Sequence, residues 1–367
     1  MTRIFGWQAD QQGCGWYRIK LPLDALVELG HSVGYSCDLN ETPAEWAGEP
    51  PEVLIGQRVS NLAASVLWQA LSGQDGALRA LQWEQPGLFA LTPGWVWRVL
   101  REEAPRPRLV YELDDDLFSV AQSNKLAYAT FGKSDVQQRI RMNLQVSAQV
   151  TVSTDPLAAA LADQPGLDPA ALDIHVVPNY LPDWLPERGE ALPTAWTPTT
   201  VVGWAGSATH QEDVAECAPY VRRFLDRTPG AELHTVGMRW GSERYTPWSK
   251  SVEDFYRTLD FDIGLAPLRP SVFNRSKSAI KVMEYQALGI VPVASNVGPY
   301  ADYLRDGEDG LLVDRPHQWA TALRELASDP GTRAQLARAG WERARTLTIG
   351  QHVDEWASAL GVSCAKV

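Results

Sequence analysis

The sequence predicts two α/β domains, each a doubly wound, Rossmann-like parallel sheet, that face one another across a cleft. Short apolar segments alternate with segments of helical periodicity along the first half of the chain. The alternation stops at residues 182–198, which are rich in Pro and Trp, and begins again at Thr200. Two βα series joined by a linker are typical of paired doubly wound domains, and 367 residues suffice for two. We therefore expect domains at 1–181 and 199–348, with residues 349–367 as a C-terminal helix.

The composition is that of an ordinary globular protein. Hydrophobic residues make up 45% and charged residues 21% of the chain. No apolar run reaches the length of a membrane span, and the N-terminus lacks the pattern of a signal peptide, so we expect a cytoplasmic protein. The formal charge of −12 argues against a protein that coats nucleic acid. The cysteines show no metal-ligand spacing and are expected to be free thiols.

A glycine-containing turn follows the first predicted strand, Arg3–Trp7. Gly13 and Gly15 precede a helix predicted at 17–29, and glycines before a helix N-terminus let the backbone approach an anionic ligand. The third glycine of the dinucleotide fingerprint is missing, so an NAD site is not expected. A tight turn without a ligand is the alternative interpretation.

Three adjacent carboxylates, Asp114, Asp115 and Asp116, follow the apolar segment Leu109–Leu113, which is predicted to be a buried strand. Open α/β sheets bind ligands at the carboxyl ends of their strands. We therefore expect the aspartates to contact a ligand or lie beside an active site. A divalent metal and sugar hydroxyls are both open as the ligand, and receipt of a proton in catalysis is a further possible role. Capping of the next segment is the alternative for each of them.

The sharpest pattern is a predicted helix that carries Lys277, Lys281 and Glu284 on one stripe, because residues three and four apart are neighbours on a helix. The loop before it contributes Asn274 and Ser276. Lysines suit the phosphates of a nucleoside diphosphate, and a carboxylate suits the hydroxyls of its ribose. An exposed ion pair on an amphipathic helix, which would contribute little to stability, is the alternative.

Four stretches carry a family likeness: KVMEYQALGIVPVAS at 281–295, the segment at 298–313, VVPN at 176–179 and the glycine segment at 13–18. The first is similar to the K-x-x-E-Y-x-A-x-G-x-P-V-V-A-S signature of GT-B-fold glycosyltransferases of the retaining family-4 type, and the others resemble further parts of those proteins. The Gly-Trp-Tyr-Arg and Asp-Asp-Asp features resemble divergent phage-encoded and surface-polysaccharide members.

This resemblance implies a donor site in the second domain. Glu284 would hold the ribose hydroxyls, and Lys277 and Lys281 would face the diphosphate. Asn274 and Ser276 would contribute from the preceding loop, with Ser276 standing where the family has a second glutamate.

The resemblance also implies contributions from two βα turns. Gly206 and Ser207 would lie near the phosphates, with His210 at the start of the next helix as a catalytic candidate. The Gly13–Gly15 turn, with Arg18, would close over the donor from the first domain. The C-terminal helix would cross back to the N-terminal domain.

The function implied by the resemblance is that of an enzyme, a glycosyltransferase. It would move a sugar from a nucleotide-diphosphate sugar to an acceptor hydroxyl, with retention and without an essential metal or a tightly bound cofactor. Polysaccharide, a small molecule and modified DNA remain open as acceptors. The alternatives are a nucleotide-sugar epimerase or hydrolase on the same fold, and a non-catalytic module that binds nucleotides or sugars.

Overall fold

The computed structural model describes residues 1–189, 199–242, 244–249 and 251–364. Its strands are β1 (Arg3–Trp7), β2 (Ser32–Ser36), β3 (Val53–Gln57), β4 (Arg108–Leu113), β5 (Gln149–Val152), β6 (Ile174–Val176), β7 (Thr200–Gly206), β8 (Ala231–Gly237), β9 (Arg244–Thr246), β10 (Ile263–Ala266), β11 (Val291–Ser295) and β12 (Leu311–Val313).

Its helices are α1 (Gly13–Gly15), α2 (Leu21–Val27), α3 (Leu62–Leu71), α4 (Gly76–Glu84), α5 (Gly94–Leu100), α6 (Lys125–Phe131), α7 (Ser134–Val146), α8 (Asp155–Ala162), α9 (Trp184–Gly189), α10 (Gln211–Leu225), α11 (Val252–Arg257), α12 (Val272–Arg275), α13 (Ile280–Ala287), α14 (Pro299–Tyr303), α15 (Gln318–Ser328), α16 (Pro330–Ala344) and α17 (Ile349–Ala359). None of the helices in the described part of the chain combines the length and the apolar character needed to cross a bilayer.

The chain forms two compact units. Unit 1 comprises Met1–Asn179 and Ile349–Val367, and unit 2 comprises Tyr180–Thr348. Unit 1 contains a six-stranded sheet of order β2-β1-β3-β4-β5-β6, and unit 2 contains one of order β12-β11-β10-β7-β8-β9. The paired strands are parallel throughout both sheets. The expectation of two doubly wound, Rossmann-like domains is confirmed.

Each sheet has one topological switch point, where successive connections leave toward opposite edges. In unit 1 the switch lies between β1 and β3, and in unit 2 it lies between β7 and β10. Side chains at the carboxyl ends of these strands occupy the positions where open α/β sheets bind ligands. The strand order therefore singles out the ends of β1 and β3, and the ends of β7 and β10, as candidate sites.

The cores consist of apolar strands covered by helices on both faces. Strands β3 and β11 are buried along their whole length, as expected for parallel strands inside a covered sheet. In unit 1, Trp68 packs edge-to-face on Tyr111 with ring centroids 5.9 Å apart. In unit 2, Phe261 packs on Tyr285 at 6.1 Å. Such pairs add to the free energy gained by burying the rings.

Two local predictions differ from the structure. The apolar segment 87–90, predicted to be a strand, lies in a 3-10 turn at Pro86–Phe89, because proline fixes φ near the helical value at the start of the turn. Gly13 to Gly15, predicted to be a loop, form a helical turn that continues into the π-helical residues Trp16–Lys20. The helix after β1 thus begins before residue 17, where it was predicted to begin.

The segment 182–198 was predicted to be the linker, and its described part is a helix packed within unit 2. Helix α9 contacts α13 and α16, and the indole of Trp341 donates to the carbonyl of Pro186 at 2.6 Å. A Cβ at Gly189 would lie 2.1 Å from the carbonyl oxygen of Ala287, so only glycine allows this approach. Residues 190–198 lie outside the described residues.

Arg18 is fully buried in unit 1 and joins four parts of it. Its Nε donates to Glu112 Oε1 at 2.6 Å, and its Nη1 donates to the carbonyl of Val177 at 2.6 Å and to Asn179 Oδ1 at 3.0 Å. Its guanidinium carbon lies 4.7 Å from the ring centroid of Trp356 in α17. Helix α17 itself packs on α2. Arg18 therefore connects the first helix, β4, the chain after β6 and the C-terminal helix.

The Arg18–Glu112 pair is isolated from water, since both side chains are 0% exposed. Burial raises the pKa of Glu112 to about 7, Arg18 opposes this by favouring the ionised form, and Asp114 adds to the rise. A buried charge is tolerated when it is paired and hydrogen-bonded, and removal of one partner leaves the other without compensation.

Arg18→Met is therefore expected to lower the free energy of unfolding by about 3–5 kcal/mol, because the Glu112 carboxyl would stay buried without its cation. Urea denaturation followed by far-UV circular dichroism measures this change. Arg79→Ala, which removes an exposed ion pair with Asp75 in the same unit, is the control and should leave the unfolding midpoint unchanged. Equal midpoints for the two variants would contradict the role of Arg18.

Candidate functional site

Lys281, in helix α13, lies at the carboxyl end of β7, at the switch point of unit 2. Its Nζ donates a hydrogen bond to the carbonyl oxygen of Ala205 and lies 5.5 Å from the ring centroid of Trp204. Burial lowers the pKa of Lys281 to about 8, and Lys277 acts in the same direction, while Glu284 opposes them. At neutral pH the side chain is therefore mostly an ammonium ion, held by a carbonyl dipole and an aromatic face.

The βα turn after β7 brings a helix N-terminus to the same place. A Cβ at Gly206 would lie 2.7 Å from the Trp204 ring and 3.5 Å from Lys281 Nζ, so glycine keeps this backbone open. Ser207 Oγ lies 2.6 Å from Thr209 Oγ1 in the short turn that leads into α10. Helix α10 has 15 residues, and the N-terminus of a helix favours a bound anion.

His210 is fixed at the start of α10 by Asp213. Its Nδ1 lies 2.9 Å from Asp213 Oδ2. Burial lowers the pKa of His210, and the charges of Lys277 and Lys281 lower it further, although Asp213 opposes them. Two lysines and a mainly neutral imidazole therefore lie close together. This combination suits the binding of an anion more than the binding of a cation.

Asn274 helps to fix Asp213, the hydrogen-bond partner of His210. Its Nδ2 donates to Asp213 Oδ1 and to the carbonyl of Arg269, at 3.0 Å each, and the residue is buried. The amide nitrogen of Asn274 thus has two acceptors within the protein, and its contribution to donor binding stays a prediction. Ser276 is also buried, at the end of α12. Lys277 Nζ lies 4.6 Å from the ring centroid of Phe273.

Glu284 is oriented by a tyrosine that sequence reasoning missed. The hydroxyl of Tyr256 donates to Glu284 Oε1 at 2.7 Å, and the Tyr256 ring packs edge-to-face on Trp184 at 5.7 Å. Tyr256 lies 28 residues before Glu284 in the sequence, and no local pattern connects them. The predicted helix at 277–288 is observed over Ile280–Ala287, so Lys281 and Glu284 lie on it, and Lys277 precedes it.

The glycine turn of unit 1 is built around Asp10. Asp10 Oδ1 accepts hydrogen bonds from the backbone N–H groups of Gln12 and Gly15, at 2.8 and 3.3 Å. A Cβ at Gly15 would lie 1.8 Å from the carbonyl oxygen of Asp10, whereas a Cβ at Gly13 would meet nothing within 4 Å. Gly15 is therefore required by packing within the turn. Arg18, expected to bind the donor, is instead fully buried and holds the interior of unit 1.

The three aspartates after β4 have different surroundings. Arg58 Nε donates to Asp114 Oδ1 at 2.6 Å, and Arg58 Nη2 lies 3.4 Å from Asp115 Oδ2. Asp116 is buried, and its Oδ1 accepts from the backbone N–H of Phe118 at 3.1 Å, which is the capping role left open for it. Within the described ranges, no three His, Cys, Asp or Glu side chains form a group that could hold a metal ion.

Comparison with known proteins supports the resemblance seen in the sequence. Residues 274–343, which include Lys277, Lys281 and Glu284, match the family model described as glycosyl transferases group 1. A D-inositol 3-phosphate glycosyltransferase of Corynebacterium glutamicum (strain R) is 41% identical over 128 residues, which are 34% of this chain and 24% of that protein. One of Rhodococcus jostii (strain RHA1) is 51% identical over 57 residues, 15% of this chain and 13% of that protein. The matches thus cover a quarter or less of these relatives.

Solved structures match over nearly the whole chain. Anabaena Alr3699/HepE in complex with UDP-glucose gives a TM-score of 0.59 at 14% identity, covering 98% of this chain and 100% of that one. The chain has the GT-B fold. Sucrose-phosphate synthase from Thermosynechococcus elongatus, with a TM-score of 0.55 at 17% identity over 98% and 99% of the two chains, shares this GT-B fold. The expected resemblance to GT-B-fold glycosyltransferases is confirmed.

The two glycines of the turn after β1, Gly13 and Gly15, allow a direct test of its geometry. Gly15→Ala is expected to lower the free energy of unfolding by about 1–3 kcal/mol, as overpacking does. Gly13→Ala has open space and a helical backbone, so it should leave stability unchanged or raise it slightly. Urea denaturation of both variants checks the difference, and equal effects of the two alanines would contradict the close approach of Gly15 to Asp10.

Proposed function

We propose that the protein is a glycosyltransferase that moves a sugar from a nucleotide-diphosphate sugar, with UDP as the favoured nucleotide, to an acceptor hydroxyl. The observation that carries the proposal is the position of the group 1 match. The matched residues include Lys277, Lys281 and Glu284, and Lys281 lies at the carboxyl end of β7, beside the switch point of unit 2. A neighbour of the same fold is known in complex with UDP-glucose, which supports the choice of nucleotide.

The leaving group would be stabilised by positive charge that is already in place. Glycosyl transfer passes through an oxocarbenium-like transition state, while negative charge grows on the departing diphosphate. The ammonium of Lys281, the neighbouring Lys277 and the N-terminus of α10 would meet that charge without further reorganisation. This electrostatic set supports departure of the diphosphate without an essential metal.

The ribose would be held by Glu284, whose carboxylate is oriented by Tyr256. Retention would follow if the departing phosphate accepts the proton of the attacking hydroxyl, so that no protein nucleophile is required. Asp114 and Asp115, in unit 1, would bind the acceptor hydroxyl. Ser276, in place of a second glutamate, would change the contact with the donor sugar.

The proposal is tested by nucleotide release. The protein is incubated with UDP-glucose and other nucleotide sugars, with and without a panel of acceptor polyols, saccharides and their phosphates. Release of nucleoside diphosphate that depends on an acceptor is the expected result. Release without acceptor would indicate a hydrolase, conversion of the sugar without release an epimerase, and tight binding with neither a non-catalytic module.

Glu284→Ala is expected to weaken UDP binding by about tenfold or more, since hydrogen bonds to a charged group contribute about 1.5–3 kcal/mol. Tyr256→Phe, which removes only the hydroxyl that orients the carboxylate, should have a smaller effect in the same direction. Isothermal titration calorimetry measures both. Glu342→Ala, an exposed glutamate of the same unit paired with Arg338, is the control. Wild-type affinity in Glu284→Ala would exclude the ribose-binding role.

A further inference from the structure

Arg58 occupies the first position after β3, at the switch point of unit 1, with an unusual backbone. Its φ is +50°, a left-handed value that among the described non-glycine residues occurs also at Ala47 and Glu102. L-residues with side chains rarely adopt this region, and such strain persists where the surrounding structure enforces it. The backbone N–H of Arg58 donates to the carbonyl of Glu112 at 3.0 Å, which ties the residue to β4.

The side chain of Arg58 contacts groups from two other segments, the one that follows β1 and the one that follows β4. Its guanidinium forms ion pairs with Asp114 and Asp115, and Nη2 lies 2.9 Å from the Sγ of Cys14, in the glycine turn after β1. The three charged side chains are 14%, 10% and 20% exposed, so the cluster is shielded and yet reaches the surface. Segments that follow β1, β3 and β4 thus converge on one cation.

The left-handed backbone after β3 does not by itself require an arginine. Glycine adopts a φ of +50° without strain, as it does at Gly298 in unit 2, where φ is +51°. Two adjacent carboxylates repel each other, and a cation placed between them offsets that repulsion. An arginine here supplies that cation, and its planar fork addresses more than one acceptor with a fixed geometry.

We propose that Arg58 is a positioning residue that holds the Asp114 and Asp115 carboxylates in place for the acceptor hydroxyl. The inference rests on the proposed glycosyl transfer and adds to it the residue that organises the acceptor side. Arg58 acts through the two carboxylates and leaves donor binding to unit 2. Its loss is therefore expected to affect the turnover of a bound donor and to leave donor affinity unchanged.

The decisive variant is Arg58→Gly, because glycine suits the left-handed backbone and removes only the side chain. Acceptor-dependent nucleotide release should fall about 100-fold in kcat, the scale of an ångström-sized misplacement of a reacting group. The Kd for UDP, measured by calorimetry, should stay at the wild-type value. Arg58→Lys keeps the charge but lacks the planar guanidinium. Its kcat should therefore lie between the values of the wild type and of Arg58→Gly. Arg79→Ala, at the exposed pair with Asp75, is the matched control and should behave as wild type.

Chemical rescue separates positioning from folding. Millimolar guanidinium chloride should restore part of the turnover of Arg58→Gly, whereas sodium chloride at equal ionic strength should not. Wild-type turnover in Arg58→Gly, or a loss that guanidinium does not restore and that follows a lowered melting temperature, would overturn the role of Arg58 and leave the proposed function standing. A wild-type protein that releases no nucleotide from any donor would overturn both.

Discussion

The buried ion pair of Arg18 and Glu112 is the constraint on which unit 1 depends. It takes two charges out of water, and the Arg18 guanidinium donates to the Glu112 carboxylate and to acceptors of Val177 and Asn179, which lie far apart from it in the chain. Glu112 belongs to β4, the strand that presents Asp114 and Asp115, and its carbonyl accepts from Arg58. A single buried strand thus connects the interior of the unit with the surface cluster. Because a half-broken pair is costly, the position of β4 is strongly fixed.

Unit 2 uses a cation in a different way. Arg18 has a carboxylate opposite it, whereas the ammonium of Lys281 bonds to the carbonyl of Ala205 and faces the Trp204 ring. A carbonyl dipole fixes the position of the charge without neutralising it, and burial keeps the pKa near 8. The result is positive potential at the end of β7, beside a helix N-terminus. A basic side chain therefore stabilises the fold in unit 1, whereas in unit 2 a basic side chain leaves positive charge at the end of a strand.

The features that could be predicted from the sequence are those with a local signal. Strand and helix periodicity predicted the two doubly wound sheets, and motif spacing predicted that Lys281 and Glu284 share a helix. The role of Arg18 could not be predicted, because its burial depends on Glu112, which lies 94 residues away. Tyr256 was missed for the same reason. Arg58 did carry a signal, a basic residue directly after a buried strand, in the same relation to β3 as the aspartates have to β4.

The C-terminal helix has a consequence for the order in which the protein is made. Helix α17 belongs to unit 1, although all of unit 2 precedes it in the chain. During translation the first six strands emerge long before Trp356, whose ring covers Arg18. The N-terminal half therefore leaves the ribosome with its ion pair uncovered, and unit 1 is completed only after α17 has been synthesised. A premature stop codon near residue 349 would damage the part of the protein that was synthesised first.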